Sequence, residues 1–383
     1  MKTTITMLAR ICNPCIPCLR FTGLSAIAFF CIALTACTEQ ADQPKPATIG
    51  VYYYDGWSGR HRLADDPNEP WAKNAPQGLT KRFVNEFSGR EPVWGWRNDT
   101  QEIMERQIDL AADNGIDFFA YCWYWRDNKG SINPTVIDNL PLHNSIALHL
   151  TAKNKNRLRY TFLVANHEGF EIIGVENWKA AVKFWVKYFR DPQFVTVDGK
   201  PLIIIFNPAG ITNEDMAAMQ EVARQEGFTD GIAIAGCRPS ARQKSGFTYT
   251  TNYAVAPGAY NGQSEFKNYD ILVEETKQEW KGSEQQPYIP LLTAGWDKRP
   301  WEGPDGSNTV EGWNYPDISP RELKTFLMDA IQWMNDHPKE TTKEKIVLIY
   351  AWNELGEGGY LVPTRDDPEA VKLKAIGEVI NGK

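Results

Sequence analysis

The chain has 383 residues, 41 basic and 48 acidic, with a formal net charge of −7, 42% hydrophobic and 23% charged side chains. This ordinary globular balance excludes extended disorder, and the acidic excess repels phosphate backbones, which sets nucleic-acid binding aside. Aromatic residues reach 12%, including 14 Trp, more than a core alone needs, and point toward flat apolar ligand surfaces such as sugar rings.

The first residues predict an export signal. Lys2, Arg10 and Arg20 precede an apolar run from Phe21 to Leu34 that is too short to span a bilayer comfortably. Setting those three aside from the 41 leaves 38 basic residues against 48 acidic ones. Leu34-Thr35-Ala36-Cys37 resembles a bacterial lipobox, whose cysteine is lipidated and becomes the first residue of the mature chain. The expected division is a signal over residues 1–36, a polar tether over 37–48 and a catalytic domain over 49–383. An ordinary secretory signal cleaved nearby is the alternative. Thr38 stands where an inner-membrane retention aspartate would stand, so an anchor in the outer membrane or at the cell surface is preferred. Cys12, Cys15, Cys18 and Cys31 leave with the signal, and Cys122 and Cys237 remain, each in an apolar run that favours a buried free thiol over a disulfide.

From Ile49 onward, apolar runs alternate with amphipathic stretches. Strands are predicted at Ile49–Tyr54, Phe118–Trp125, Tyr160–Asn166, Pro201–Asn207, Gly231–Cys237, Thr250–Val255, Pro287–Ala294 and Ile346–Trp352. They are apolar on both faces, as in a parallel sheet covered by helices. Helices are predicted at Thr100–Asn114, Asn177–Phe189, Asn213–Glu226, Tyr269–Trp280, Pro320–Asp336 and Pro368–Ile380, with Asp99 and Asn213 as N-caps and Gly115 and Gly227 just past the C-termini. Eight strands in this alternation predict a (β/α)8 TIM-type barrel with enlarged βα loops. No glycine-rich phosphate loop follows a strand, which argues against an open doubly wound sheet. The long segment from Asp55 to Asn98 carries Trp57, Trp71, Trp94 and Trp96 and is expected to wall one side of a cleft.

Working residues of a barrel lie at the C-terminal strand ends and just beyond. That rule selects Tyr53, Tyr54 and Asp55; Trp123, Tyr124, Trp125 and Arg126; Asn166, His167 and Glu168; Asn207; Asn252 and Tyr253; Trp296, Asp297 and Arg299; and Trp352, Asn353, Glu354 and Glu357. Carboxylates, amides and aromatics dominate, the inventory of a site that hydrogen-bonds hydroxyls and stacks on sugar faces. Glu354 and Glu357 would lie about 5–6 Å apart on a helix-like turn, and retaining glycoside hydrolysis uses carboxyl groups about 5–5.5 Å apart. Proximity also splits their proton affinities, leaving one as acid and one as base. A helix-capping or solvated glutamate pair is the bland alternative. His167 is either a hydroxyl contact, a structural residue or an acid/base. No Gly-x-Ser-x-Gly elbow and no metal-ligand spacing occurs, so acyl transfer is unexpected and no metal or other cofactor is predicted.

Several segments carry a resemblance. They are Ile49-Gly-Val-Tyr-Tyr-Tyr, Gln107 through Tyr121, Val164-Ala-Asn-His-Glu168, Tyr188-Phe-Arg-Asp-Pro with Val197-Asp-Gly-Lys-Pro-Leu202, Gly295-Trp-Asp-x-Arg-Pro300 and Trp352-Asn-Glu-Leu-Gly-Glu-Gly358. In this order they resemble the glycoside hydrolase family 99-like proteins, a group that includes sequences labelled O-antigen biosynthesis glycosyltransferase-like. The resemblance implies a (β/α)8 barrel and, in the glycosidase branch, retaining endo-cleavage of α-mannosides without a covalent enzyme intermediate. Carried over, Glu354 would deprotonate the sugar 2-hydroxyl, which closes onto the anomeric carbon, and Glu357 would protonate the leaving oxygen and later activate water. Leu355 stands where the family often has Trp, and Val362-Pro-Thr364 where it often has Glu-Pro-Asp, positions that shape sugar specificity.

The expected protein is an exported lipoprotein glycosidase anchored through Cys37, with Glu354 and Glu357 catalytic. Tyr53, Asp55, Asn166, His167, Glu168, Tyr253, Asp297 and Asn353 are expected to contact the sugar, and Trp123, Trp125 and Trp296 to stack on it. A non-catalytic glycan-binding lipoprotein and a glycosyltransferase are the alternatives. Export weighs against the second, because nucleotide sugars are cytoplasmic.

Overall fold

In the computed structural model, residues 45–125, 133–237, 241, 246–255, 262–306, 311–315 and 318–382 are described. The export segment, Cys37 and Arg126 lie outside them.

Eight parallel strands carry the fold: β1 (Thr48–Tyr53), β2 (Phe118–Trp123), β3 (Arg159–Val164), β4 (Lys200–Ile205), β5 (Ala233–Cys237), β6 (Tyr249–Thr251), β7 (Leu291–Thr293) and β8 (Ile346–Tyr350). Each pairs with the next from β1 to β6, and β8 lies between β7 and β1 with Thr48 opposite Ile346. A parallel bridge between Thr250 and Tyr288 joins the remaining edges, with Thr250 N–H donating to Pro287 O at 3.0 Å and Ile289 N–H to Thr250 O at 2.8 Å. The result is a (β/α)8 barrel. The seventh strand is shorter than its apolar run suggests because Pro287 and Pro290 offer no N–H to the ladder.

Among the described residues seven longer helices pack outside: α1 (Gln101–Asp113), α2 (Asn144–Thr151), α3 (Val175–Phe189), α4 (Asn213–Gln225), α5 (Tyr269–Gln278), α6 (Pro320–Asp336) and α7 (Val371–Asn381). Among the described residues no α-helix lies between β5 and β6. Two caps differ from expectation by one residue. Thr100 rather than Asp99 caps α1, and Thr212 rather than Asn213 caps α4, where Thr212 and Asp215 exchange side-chain and backbone bonds in a capping box. Asp99 is instead paired with Arg97. Gly115 and Gly227 follow their helices at positive φ, as expected. Helix α2 escapes sequence reading because it is only eight residues long and lacks a side-chain cap at its own N-cap position, His143.

Both faces of the strands are buried, one in the barrel interior and one under the helices. On β1, the Tyr52 hydroxyl crosses the interior to Asn252 O at 2.8 Å, whereas the Tyr53 hydroxyl accepts from Ser145 of α2 at 3.2 Å. This parity decides which strand-end side chains reach the barrel mouth. Cys122 and Cys237 are both buried free thiols. The segment after β1 is ordered rather than structureless. It contains a one-turn helix at Lys81–Asn85, and Trp57 is buried against Phe83 and Trp96.

Candidate active site

The chain leaves β8 at Tyr350 and folds into a small hairpin in which Asn353–Glu354 runs antiparallel to Gly359–Tyr360. The Glu357 N–H donates to Glu354 O at 3.2 Å, so the two glutamates sit on a tight hairpin turn. This replaces the helical geometry assumed from their spacing. Glycine is required at two places in the turn. A Cβ on Gly356 would lie 2.1 Å from the Trp301 indole, and Gly358 combines φ of 83° with a 2.4 Å approach to Asp297 N.

The hairpin is fixed by residues whose polar groups are spent on the backbone. Asn353 Oδ1 accepts from Tyr54 N at 2.8 Å, and its Nδ2 donates to Tyr54 O at 2.7 Å. Trp57 Nε1 donates to Asn353 O at 2.9 Å. Asp297 accepts two 2.7 Å bonds from Arg299 and pairs with Arg90, while its N–H donates to Glu357 O at 2.7 Å. Arg90 also donates to Leu355 O at 2.9 Å. Against the opposing cost of burial, Arg299 and Arg90 hold the Asp297 carboxyl below its usual range. Asn353 and Asp297 therefore position the turn, and neither lines the cavity beside it.

Glu354 is buried, and Tyr253 donates its hydroxyl to Oε1 at 2.9 Å. Oε2 is buried with no hydrogen-bond partner among the described residues. Burial first, and then the Glu357 charge, push the Glu354 carboxyl well above its ordinary value, with Tyr253 and Lys298 opposing. Glu357 accepts from the Tyr350 hydroxyl at Oε2, and Lys298 Nζ lies 3.3 Å from its Oε1. Burial and the nearby carboxylates raise the Tyr253 and Tyr350 phenols far above their usual range, keeping both as neutral donors.

Both glutamates open into a cavity of about 320 Å³ whose walls include Tyr54, Gln77, Cys122, Tyr124, His167, Phe170, Phe206, Tyr253 and Trp301. Two expected sugar contacts, His167 and Tyr253, are in this wall. Others point elsewhere. Tyr53 faces the helix layer against Phe119 and Tyr121, and Trp123 packs on His143 and Trp185. Trp125 is fully buried beside Trp123. Strand alternation places Tyr54, Cys122 and Tyr124 at the mouth in their stead.

Asp55 is also structural. It accepts from Ser58 Oγ at 2.7 Å and from Ser145 N at 2.5 Å, the latter at the start of α2, and burial raises its carboxyl to about 7. Asn166, at φ 44°, bonds Asn207 O and Ile172 N. Glu168 is exposed outside the cavity wall. Trp296 stands behind Tyr350 at 5.7 Å without lining the cavity. Gln77, Phe170 and Lys298 come from loops, and Trp301 from a short 3-10 turn at Arg299–Trp301. Of these only Lys298 carried a signal, as the unspecified position of Gly295-Trp-Asp-x-Arg. Burial keeps Cys122 a neutral thiol. Among the described residues no group of three His, Cys, Asp or Glu side chains is arranged to hold a metal ion, and no helix is long and apolar enough to cross a membrane.

The chain matches the family described as Glycosyltransferase WbsX across residues 96–371. A curated relative, the uncharacterized protein WxcX of Xanthomonas campestris pv. campestris, is 23% identical over 288 residues, which is 69% of this chain and 39% of the relative. The chain thus matches well under half of that protein's length. Among solved structures, the GH99 endo-alpha-mannosidase from Bacteroides thetaiotaomicron superposes with a TM-score of 0.57 at 15% identity, covering 89% of this chain and 98% of that one. A glycoside hydrolase-like protein gives 0.54 at 14% identity, covering 88% and 95%. At these identities the likeness concerns the fold.

Proposed function

The chain belongs to the WbsX family, and from that premise we propose that it is a glycoside hydrolase whose catalytic pair is Glu354 and Glu357. One observation carries this reading. A buried carboxylate, one oxygen of which has no partner among the described residues, and a second carboxylate three residues later line together an aromatic-walled cavity at the C-terminal mouth of the barrel.

In this reading a glycan lies against Tyr54, Tyr124 and Trp301. Its 2-hydroxyl meets Oε2 of Glu354 and gives up its proton there. The 2-oxygen bonds to the anomeric carbon as the bond to the leaving oxygen breaks, and Glu357 gives that oxygen a proton. Water then attacks the anomeric carbon with Glu357 as base, and the 2-oxygen recovers its proton from Glu354. A carboxylate whose proton affinity is raised by burial is a stronger base for a weakly acidic hydroxyl. Lys298 and Tyr350 steady Glu357 through its charged stages. The likeness to an endo-α-mannosidase makes α-mannosides the first substrates to try. The Leu34-Thr-Ala-Cys37 sequence supports export and lipid anchoring, and loss of incorporated radiolabelled palmitate in Cys37→Ser checks it.

The family's description favours a second reading, in which a sugar acceptor replaces water and the same pair transfers the glycosyl unit. Both are tested by digesting a polysaccharide panel with the purified chain beside Glu354→Gln and Glu357→Gln, with and without oligosaccharide acceptors. Released oligosaccharides that vanish in both variants support hydrolysis, and longer products formed only with acceptor support transfer. Unchanged release by either variant would remove that residue from the mechanism.

A further inference from the structure

The cavity over the glutamate pair does not end at its aromatic wall. Tyr54, Gln77 and Trp301 also line a second cavity, of about 720 Å³, built mainly from the segment after β1. Trp301 is held at this neck by its Nε1, which donates to Gly78 O at 2.9 Å, and by an edge-on contact with Tyr54 at 5.8 Å. Beyond it lies half-buried Trp71, with His61 edge-on at 5.2 Å.

The charge of this second cavity runs against that of the chain. Acidic residues outnumber basic ones in the whole sequence, yet three cations, Arg60, Arg62 and Lys81, face two acids, Glu69 and Asp305, in this wall. Glu69 is taken up by the Trp71 indole N–H. Arg60 and Lys81 hold exposed partners, Asp65 at 2.7 Å and Asp305 at 3.5 Å, and pairs this exposed contribute little and are readily exchanged. Arg62 is exposed and makes no ion pair among the described residues. A guanidinium fork matches a carboxylate with two parallel bonds, and an indole face suits a pyranose ring.

We propose that this second cavity binds a carboxylate-bearing sugar of the same glycan chain, with Trp71 and Trp301 against the rings and Arg62 and Lys81 on the carboxylate. The inference rests on the reading of the neighbouring cavity as a glycan site and adds the class of sugar held beside the cleaved bond.

The test uses the full chain carrying Glu357→Gln, titrated with oligosaccharides from polygalacturonate, alginate and hyaluronan and with the same oligosaccharides after reduction of their carboxyl groups. At least one acidic set binds about tenfold tighter than its reduced counterpart. The difference shrinks with added salt and disappears in Arg62→Gln and in the Arg62→Ala/Lys81→Ala double variant, the single exposed change serving if the double variant misfolds. Equal binding of acidic and reduced forms, absence of binding by all three acidic sets, or a preference that survives Arg62→Gln overturns the proposal. Turnover by the unmodified chain is scored on the same panel. A glycosidase indifferent to carboxylates overturns this inference alone, whereas charge-dependent binding without turnover overturns the catalytic reading alone.

Discussion

Tyr253 reaches across the barrel mouth to donate its hydroxyl to Glu354 Oε1 at 2.9 Å, while Oε2 of the same carboxylate is buried without a partner among the described residues. One oxygen is fixed, and in the proposed mechanism the other takes the proton of the reacting hydroxyl. The tyrosine is thereby a controller of basicity as well as of orientation, because its hydrogen bond favours the ionised carboxylate against burial and the Glu357 charge.

The pH profile follows from that balance. In the proposed mechanism Glu354 acts as a base, so activity requires its ionised form and is lost as pH falls through its raised pKa. The acidic limb of kcat/KM therefore lies above the ordinary glutamate range. Tyr253→Phe and Lys298→Met each remove an influence that lowers this pKa, so both move the limb further toward alkaline pH. Steady-state rates across pH check it, and a limb unmoved in both variants contradicts Glu354 as the titrating base.

Replacing either glutamate separates the two roles. Glu354→Gln loses about 10²–10⁴-fold on every substrate, the usual contribution of a positioned base. Glu357→Gln loses as much on a glycan, whose leaving alkoxide needs a proton, but far less in kcat/KM on an aryl glycoside whose phenolate departs unaided, while kcat falls because water has lost its base. Rates on a series of aryl leaving groups measure the difference. Equal losses for both variants across the series would reverse or merge the assignments.

Strand parity makes a third prediction, on stability. Trp123 packs among His143, Phe184 and Trp185 under the helix layer, so Trp123→Ala costs about 3–5 kcal/mol of folding stability without a specific effect on KM. Tyr124, one residue on, lines the cavity. Tyr124→Phe raises KM or lowers kcat with little change in melting temperature. Denaturation and kinetics on the two variants, compared side by side, show which face each residue serves.

That pair also shows where sequence reading stops. The eight strands, six of the helices and the Glu354/Glu357 motif were legible, because apolar runs and helical periodicity register burial directly. The inward face was not, because parallel strands are apolar on both sides and Trp123 looks like Tyr124 in one dimension. The placement of the polar strand-end residues was not legible for a different reason. Asn353, Asp297, Asn166 and Asp55 have the chemistry to hold hydroxyls, but each is committed to backbone or arginine partners, and a sequence cannot say whether a polar group is already satisfied. Gln77 and Trp301 reach the site from segments far apart in the chain, with no local signal of their meeting.

Asp55 carries the last prediction. Its carboxyl is raised to about 7 by burial, although Ser145 N–H and Ser58 Oγ both donate to it. A carboxyl whose pKa is higher in the folded than in the unfolded chain binds its proton more tightly when folded. Its contribution to stability is complete below the unfolded value near 3.8 and is lost as pH rises through about 7. The native chain should therefore lose stability between about pH 4 and pH 7 by an amount that Asp55→Asn abolishes. Below about pH 4, where Asp55 is protonated in both states, the substitution costs about 0.5–2 kcal/mol, since an amide NH₂ can meet the Ser145 N–H at the start of α2. Urea unfolding of both proteins at pH 5 and pH 8 measures this slope. Parallel pH dependence in the two would show that Asp55 titrates alike in the folded and unfolded chain, and that burial at the start of α2 does not hold its proton.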